Sequence, residues 1–120
     1  MTANPLTLAR HAVAEALSGV GAPVHATPPG AISGPCVWLT ATTCDPHGRV
    51  TVQVTVASPT PGREASIETV EQVAFEVQMA LAATRLLGWG EISAPTVDKD
   101  SGLLTRTVQA SIRPTLEVHP

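Results

Sequence analysis

The stretch "CDPHG", residues 44 to 48, brings Cys44, Asp45 and His47 together and is the only convergent polar cluster in the sequence. A thiol nucleophile needs a base at hydrogen-bonding distance and a third group that orients the base, and folds usually bring these from distant segments. Here Asp-Pro and His-Gly are turn-forming pairs in their own right, so the cluster reads as a tight turn. Zinc asks for four ligands at recognisable spacing, whereas His11, His25 and His119 are scattered and form no H-x-x-x-H pair. "DKDSG" (98–102) resembles the start of a calcium loop, but its glycine comes one position early and no glutamate follows where the twelfth ligand belongs. It too reads as a turn. "GVGAP" (19–23) leaves a helix instead of entering one, which excludes a phosphate-cradling loop. The expectation is a protein that is not an enzyme, with no catalytic, cofactor-binding or metal-binding residues and no cofactor.

The composition points the same way. Apolar residues make up 43%, nearly all Val, Ala and Leu, with Phe75 the only Phe, Trp38 and Trp89 the only Trp, and no Tyr. Such a core is built from small branched side chains, which favours strands and closely packed helices. Seven Lys and Arg against ten Asp and Glu leave a formal charge of −3, which speaks against a nucleic-acid-binding module. The basic residues are six Arg and one Lys (Lys99), and a surface so poor in Lys and Glu resembles one covered by partners. Cys36 and Cys44 sit at the two ends of one straight strand, too far apart to pair, so both are expected as free thiols in a reducing compartment. No charged n-region precedes an apolar run, and no run approaches the ~20 residues that span a bilayer. The 120 residues suit a single domain over 1–120.

The elements that hold these residues follow from periodicity. Asn4 and Pro5 open a helix in which Leu6, Ala9, Val13, Ala16, Leu17 and Val20 recur at helical spacing until Gly19 or Gly21 stops it. A proline-rich lead then leaves room for an edge strand near residues 24–26. Residues 36–43 and the faultless alternation "VTVQVTV" (50–56) form two strands joined by the "CDPHGR" turn, which makes a hairpin. A loop over 59–65 leads to a long helix over 66–88, with Ser66 as cap, Glu68 and Glu71 in its first turns and Arg85 near its end. A last strand over 103–113 puts Leu104, Val108, Ala110 and Ile112 on one face and Thr105, Thr107, Gln109 and Ser111 on the other, with Arg106 breaking the apolar face near its rim. The connection over 89–102 is long for a compact domain, and loops of that length usually contact something. The fold class expected is α+β: a small, mainly antiparallel or mixed sheet of about three to five strands with two helices packed on one face.

Two surfaces of this arrangement look unsuited to water. On a wheel at about 100° per residue, Ile67, Val70, Val73, Ala74, Val77, Ala80, Leu81, Thr84 and Leu87 form the core stripe of the long helix. Phe75, Met79, Ala82 and Leu86 fall on its far side as a second apolar stripe. Either the first helix covers that stripe, or another subunit does, or it lines a cofactor pocket. The second surface is the neutral polar wall of Thr51, Gln53, Thr55, Thr107 and Gln109, on the face of the sheet that the helices leave bare. These residues are the candidate subunit interface.

Taken together, the helix ending "ALSGVGAPVHATPP", the lead into "GPCVWLT", the strand "VTVQVTVASPTPG", the long helix ending "LLGWGEI" and the last strand "TRTVQASI" resemble the tail terminator proteins of long-tailed double-stranded DNA phages of actinobacterial hosts. The resemblance spans nearly the whole chain and rests on order and lengths, without a diagnostic motif. It implies two helices against a mainly antiparallel sheet, assembled as a homo-oligomeric ring, by analogy a hexamer. Such a ring caps the major tail tube protein, ends tail polymerisation and meets the head-side neck or stopper protein. DNA passes through its channel without specific binding, and no membrane is involved. The place of action would be the virion tail and neck, after assembly in the host cytoplasm. In that frame the axial contacts fall to Pro59, Pro61, Arg63, Trp89, Asp98, Lys99 and Asp100. The alternatives are another neck, tail-completion or head-closure subunit, or a small cytoplasmic ligand-binding or enzymatic α+β dimer.

Overall fold

The computed structural model describes residues 4–59, 62–84 and 88–114. Helix α1 spans Pro5–Ala16, with the Asn4 carboxamide oxygen accepting from the Leu6 amide at 2.8 Å. That side-chain cap and the proline at the first helical position are the start signal the sequence carries. Strand β1 (Val24–His25) follows and lies parallel to β2 (Cys36–Cys44), pairing Val24 with Val37. β2 turns back into β3 (Val50–Ser58) as an antiparallel hairpin, with a bulge between Ala41 and Thr43. Helix α2 spans Glu64–Ala82 and β6 spans Leu104–Ile112, antiparallel to β3 along its whole length. Two short strands, β4 (Gly88–Trp89) and β5 (Thr96–Val97), lie on the outer edge of β6. The sheet order is β1-β2-β3-β6-β4, mixed because β1 alone runs parallel to its neighbour, and both helices lie on one face: the α+β class read from periodicity.

The core is the valine side of the hairpin. Val50, Val52, Val54 and Val56 are fully buried, flanked by Val37 and Leu39 on β2 and by Val108 and Ala110 on β6. Ala9 and Val13 of α1, Leu17 at its C-cap, and Val70, Val73, Ala74, Val77 and Leu81 of α2 close over them. Period-two alternation met by two 3.6-period stripes is the simplest way to close one layer of helix on one layer of sheet.

Several boundaries differ from expectation: α1 stops at Ala16 with Leu17 as its C-cap, short of Val20. α2 begins at Glu64, with Arg63 in the cap position and no side-chain cap bond, so Ser66 lies inside the first turn. Glu64 supplies the acid that favours the positive end of the helix dipole. The helix ends at Ala82, where the Ala83 amide donates back to the Met79 and Ala80 carbonyls; Arg85, Leu86 and Leu87 lie outside the described residues. Finally, the connection over 89–102 is largely an interrupted edge strand. Gly88 and Trp89 pair with Ser111 and Ala110, the Gly90 amide donates to the Gln109 carbonyl at 2.8 Å, Ser93 bonds Thr107, and Thr96 and Val97 pair with Thr105 and Leu104. Pro95 and the irregular register break its pattern in sequence, and short, interrupted edges of this kind resist pairing with other sheets.

Candidate functional site

The turn with the nucleophile-like cluster is held by backbone bonds. Asp45 Oδ1 accepts from the amides of His47 and Arg49, each at 2.9 Å, and the Gly48 amide donates to the Asp45 carbonyl at 3.0 Å. Gly48 stands at φ +83, a conformation glycine adopts without penalty. The Cys44 thiol is exposed and directed to the Asp45 carbonyl at 3.7 Å, while Cys36 is buried, which pushes its thiol pKa up. Asp45 thus orients backbone, not an imidazole. The Arg49 amide, chiefly, holds the Asp45 carboxyl below the usual carboxylate range. A carboxylate with a depressed native pKa stabilises the fold above its unfolded pKa and loses that contribution as pH falls through the native value. The amide signals of His47 and Arg49 are therefore expected to titrate below the ordinary aspartate pKa of about 3.9 in an NMR pH series. In Asp45→Asn that acid-side titration disappears; if it persists, another group drives it.

The "DKDSG" segment is likewise a turn: the Asp98 carboxylate accepts from the Asp100 amide at 2.9 Å, and the Gly102 amide donates to the Asp98 carbonyl at 2.7 Å. Among the described residues no three His, Cys, Asp or Glu side chains converge as a metal site, and no helix is long and apolar enough to cross a membrane. The cleft beside Trp38, about 350 Å³, is lined by Pro29, Ile32, Pro59 and Leu103, with Ser101 as its only side-chain hydroxyl among the described residues. It brings together no acid, base or orienting group.

The outer face of α2 is where the fold leaves apolar surface. Phe75 is 51% and Met79 54% exposed, and Ala82 is exposed beside them. Leu86, the fourth member of that stripe, lies outside the described residues. The end of α1 does reach the stripe, but only as one wall: Ala16, Gly19 and Val20 line a groove of about 360 Å³ with Phe75, Met79 and Ala80. Intramolecular cover is thus partial. Ile67, at the margin of the core stripe, is also 38% exposed.

Glu76 anchors this region, and the sequence offered no signal for it. Its Oε1 accepts from the Gly21 amide at 2.7 Å and its Oε2 from Gln72 Nε2 at 3.0 Å, bonds that draw its pKa down, the Gln72 contact most. The contact with Gly21 is 55 residues distant in the chain and fixes the α1–β1 turn against α2. Arg106 is resolved in the same way. It points from the apolar side of β6, 19% exposed, and donates to the Ser93 carbonyl at 3.0 Å and to Glu71 at 3.4 Å. The rim position read from the alternation is correct, and the partners are the edge segment and α2.

On the opposite face of the sheet the polar residues stand in ranks across three strands: Trp38, Thr55 and Thr107; Thr40, Gln53 and Gln109; Thr43, Thr51 and Ser111. Gln109 is exposed and Thr51, Gln53 and Thr107 are half-buried, whereas Thr55 is only 5% exposed and is already enclosed within the chain beside Trp38. The bare face is therefore widest at the Gln53–Gln109 rank. Of the remaining sequence candidates, Pro59 lies at the end of β3 beside the Trp38 cleft, Arg63 precedes α2, and Asp98, Lys99 and Asp100 form the turn before β6. Trp89 belongs to β4 and not to a loop, and Pro61 lies outside the described residues. A scan against protein-family models and a search of curated proteins return no match for this chain.

Proposed function

We propose that the chain is a structural virion protein, a phage tail terminator whose copies form a ring on the end of the tail tube, stop its polymerisation and join it to the head-side neck protein. The observation that carries this reading is the half-exposed Phe75 and Met79 stripe on α2. Burying a large apolar side chain is worth about 1.5–3 kcal/mol, so two adjacent ones left half bare favour a contact between chains. The uncharged polar ranks on the opposite face add a second surface without Lys or Glu, of the kind that lines an interface or a weakly charged channel. Two different flanks on one small domain suit a heterologous contact, which closes into a ring by rotation. The α+β architecture and the lengths of its elements fit the resemblance seen in the sequence. Adding the protein to polymerising cognate tail-tube subunits is expected to halt elongation, read as a plateau in light scattering; elongation at an unchanged rate contradicts the reading.

A further inference from the structure

We propose that the β2–β3 hairpin of one copy docks into the groove on the outer face of α2 of the next copy. This rests on the ring reading and names the contact that closes the ring. The hairpin tip is poorly supported by its own chain: from Thr40 to Arg49 every residue is exposed except Ala41 and Gly48, which are half-buried. Beyond the Val37 and Trp38 pairs with β1, the outer edge of β2 has no strand on it among the described residues. The tip carries Arg49, exposed without an ion pair among the described residues; Arg113, just past the end of β6, lies beside Gly48 and offsets the charge of the Asp45 carboxylate, whose hydrogen bonds go to backbone amides.

The groove has the opposite character. Toward the start of α2 it encloses about 480 Å³ between Gly21, Thr69, Gln72 and Val73, and among the described residues its charged side chains are Glu68 and Glu76. It runs on past Glu76 into the apolar groove of Phe75 and Met79. Glu64 and the Arg106-paired Glu71 add acid on the same helix, against Arg63 at its start. An acidic end followed by an apolar end matches a hairpin with Arg49 at its tip and threonines, alanine and a cysteine behind it. Within one chain the tip does not reach the acidic end of this groove. β3 separates them, nine residues at about 3.3 Å each, so the tip and the start of α2 lie roughly 30 Å apart. Hairpin and groove are thus distinct patches of one molecule, the head-to-tail arrangement that a rotational ring requires.

The native thiols make the test direct, because Cys44 is exposed on the hairpin and Cys36 is buried. In Thr69→Cys, a short bis-maleimide applied to rings is expected to bridge Cys44 to the introduced thiol between subunits. The product is a covalent ladder on a denaturing gel, absent when Cys44→Ala is added. Arg49→Glu is expected to weaken subunit association about tenfold at low salt, with recovery when Glu68→Arg is placed in the same chain. Bridges between Cys44 and Cys44 alone would mean edge-to-edge pairing of β2 and overturn the proposal. Rings that cap tubes without the hairpin-to-groove bridge overturn it and leave the terminator reading standing. The bridge in a ring that does not stop tube growth does the reverse. A chain that stays monomeric even beside tail tubes contradicts both.

Discussion

Phe75→Glu is expected to yield a folded monomer that neither forms rings nor caps tail tubes, and Met79→Glu the same. The expectation follows from where the side chains sit. Both are about half exposed on the subunit, so a charge there stays hydrated in the monomer and changes its stability by no more than about 0.5 kcal/mol. In an assembled ring the same carboxylate would be buried in the groove beside Glu76, unpaired and next to a like charge, which costs several kcal/mol per contact. Repeated at every subunit boundary, that penalty abolishes closure. Sedimentation velocity together with far-ultraviolet circular dichroism separates the outcomes. Loss of helical signal in either variant would show that the stripe belongs to the subunit's own core and would remove the main support for an interface.

Leu39→Ala should have the opposite pattern, a large loss of stability with no direct effect on any surface. Leu39 is fully buried on β2, pairs with Val54 of β3 and faces the apolar stripe of α1. Truncating a leucine in such a position costs about 2–5 kcal/mol, transfer and cavity terms together. A domain of this size has only about 5–15 kcal/mol in total, so the urea midpoint should fall markedly while the slope stays unchanged. A loss below about 1 kcal/mol would contradict a core centred on the hairpin's valine face.

The hairpin was legible because "VTVQVTV" leaves no choice of face: a one-residue slip would turn four valines to water. The start and capping of α1 were legible for the same reason, since Asn4 and Pro5 each satisfy a distinct need of a helix N-terminus. α2 was harder. Its true first turn holds Glu64 and Ala65, residues equally at home in a loop, and Ser66 offered a more conventional cap that the chain does not use. The edge segment over 89–97 reads as loop in the sequence because it pairs in short, register-shifted pieces around Pro95, too irregular for any alternation to show. Of the candidate interface, the Phe75 and Met79 stripe came from the helical wheel and is where the fold leaves apolar surface. The enclosure of Thr55 did not, because alternation tells which face a side chain takes and says nothing of Trp38 on the neighbouring strand. Long-range ties such as Gly21 to Glu76 have no local signature at all.

With the hairpin seated in the α2 groove, the polar ranks of the sheet are left as the channel wall. Their side chains are neutral, so a polyanion passing them meets neither a strong attraction nor a strong barrier. The ring reading requires that copies of this chain close on the end of a tail tube, and electron microscopy of cognate tail tubes incubated with the purified protein shows whether they do. A single ring of density is expected on one end of each tube, coaxial with it and absent with Phe75→Glu. Bare tube ends at saturating protein, with the chain still folded and monomeric, would contradict it.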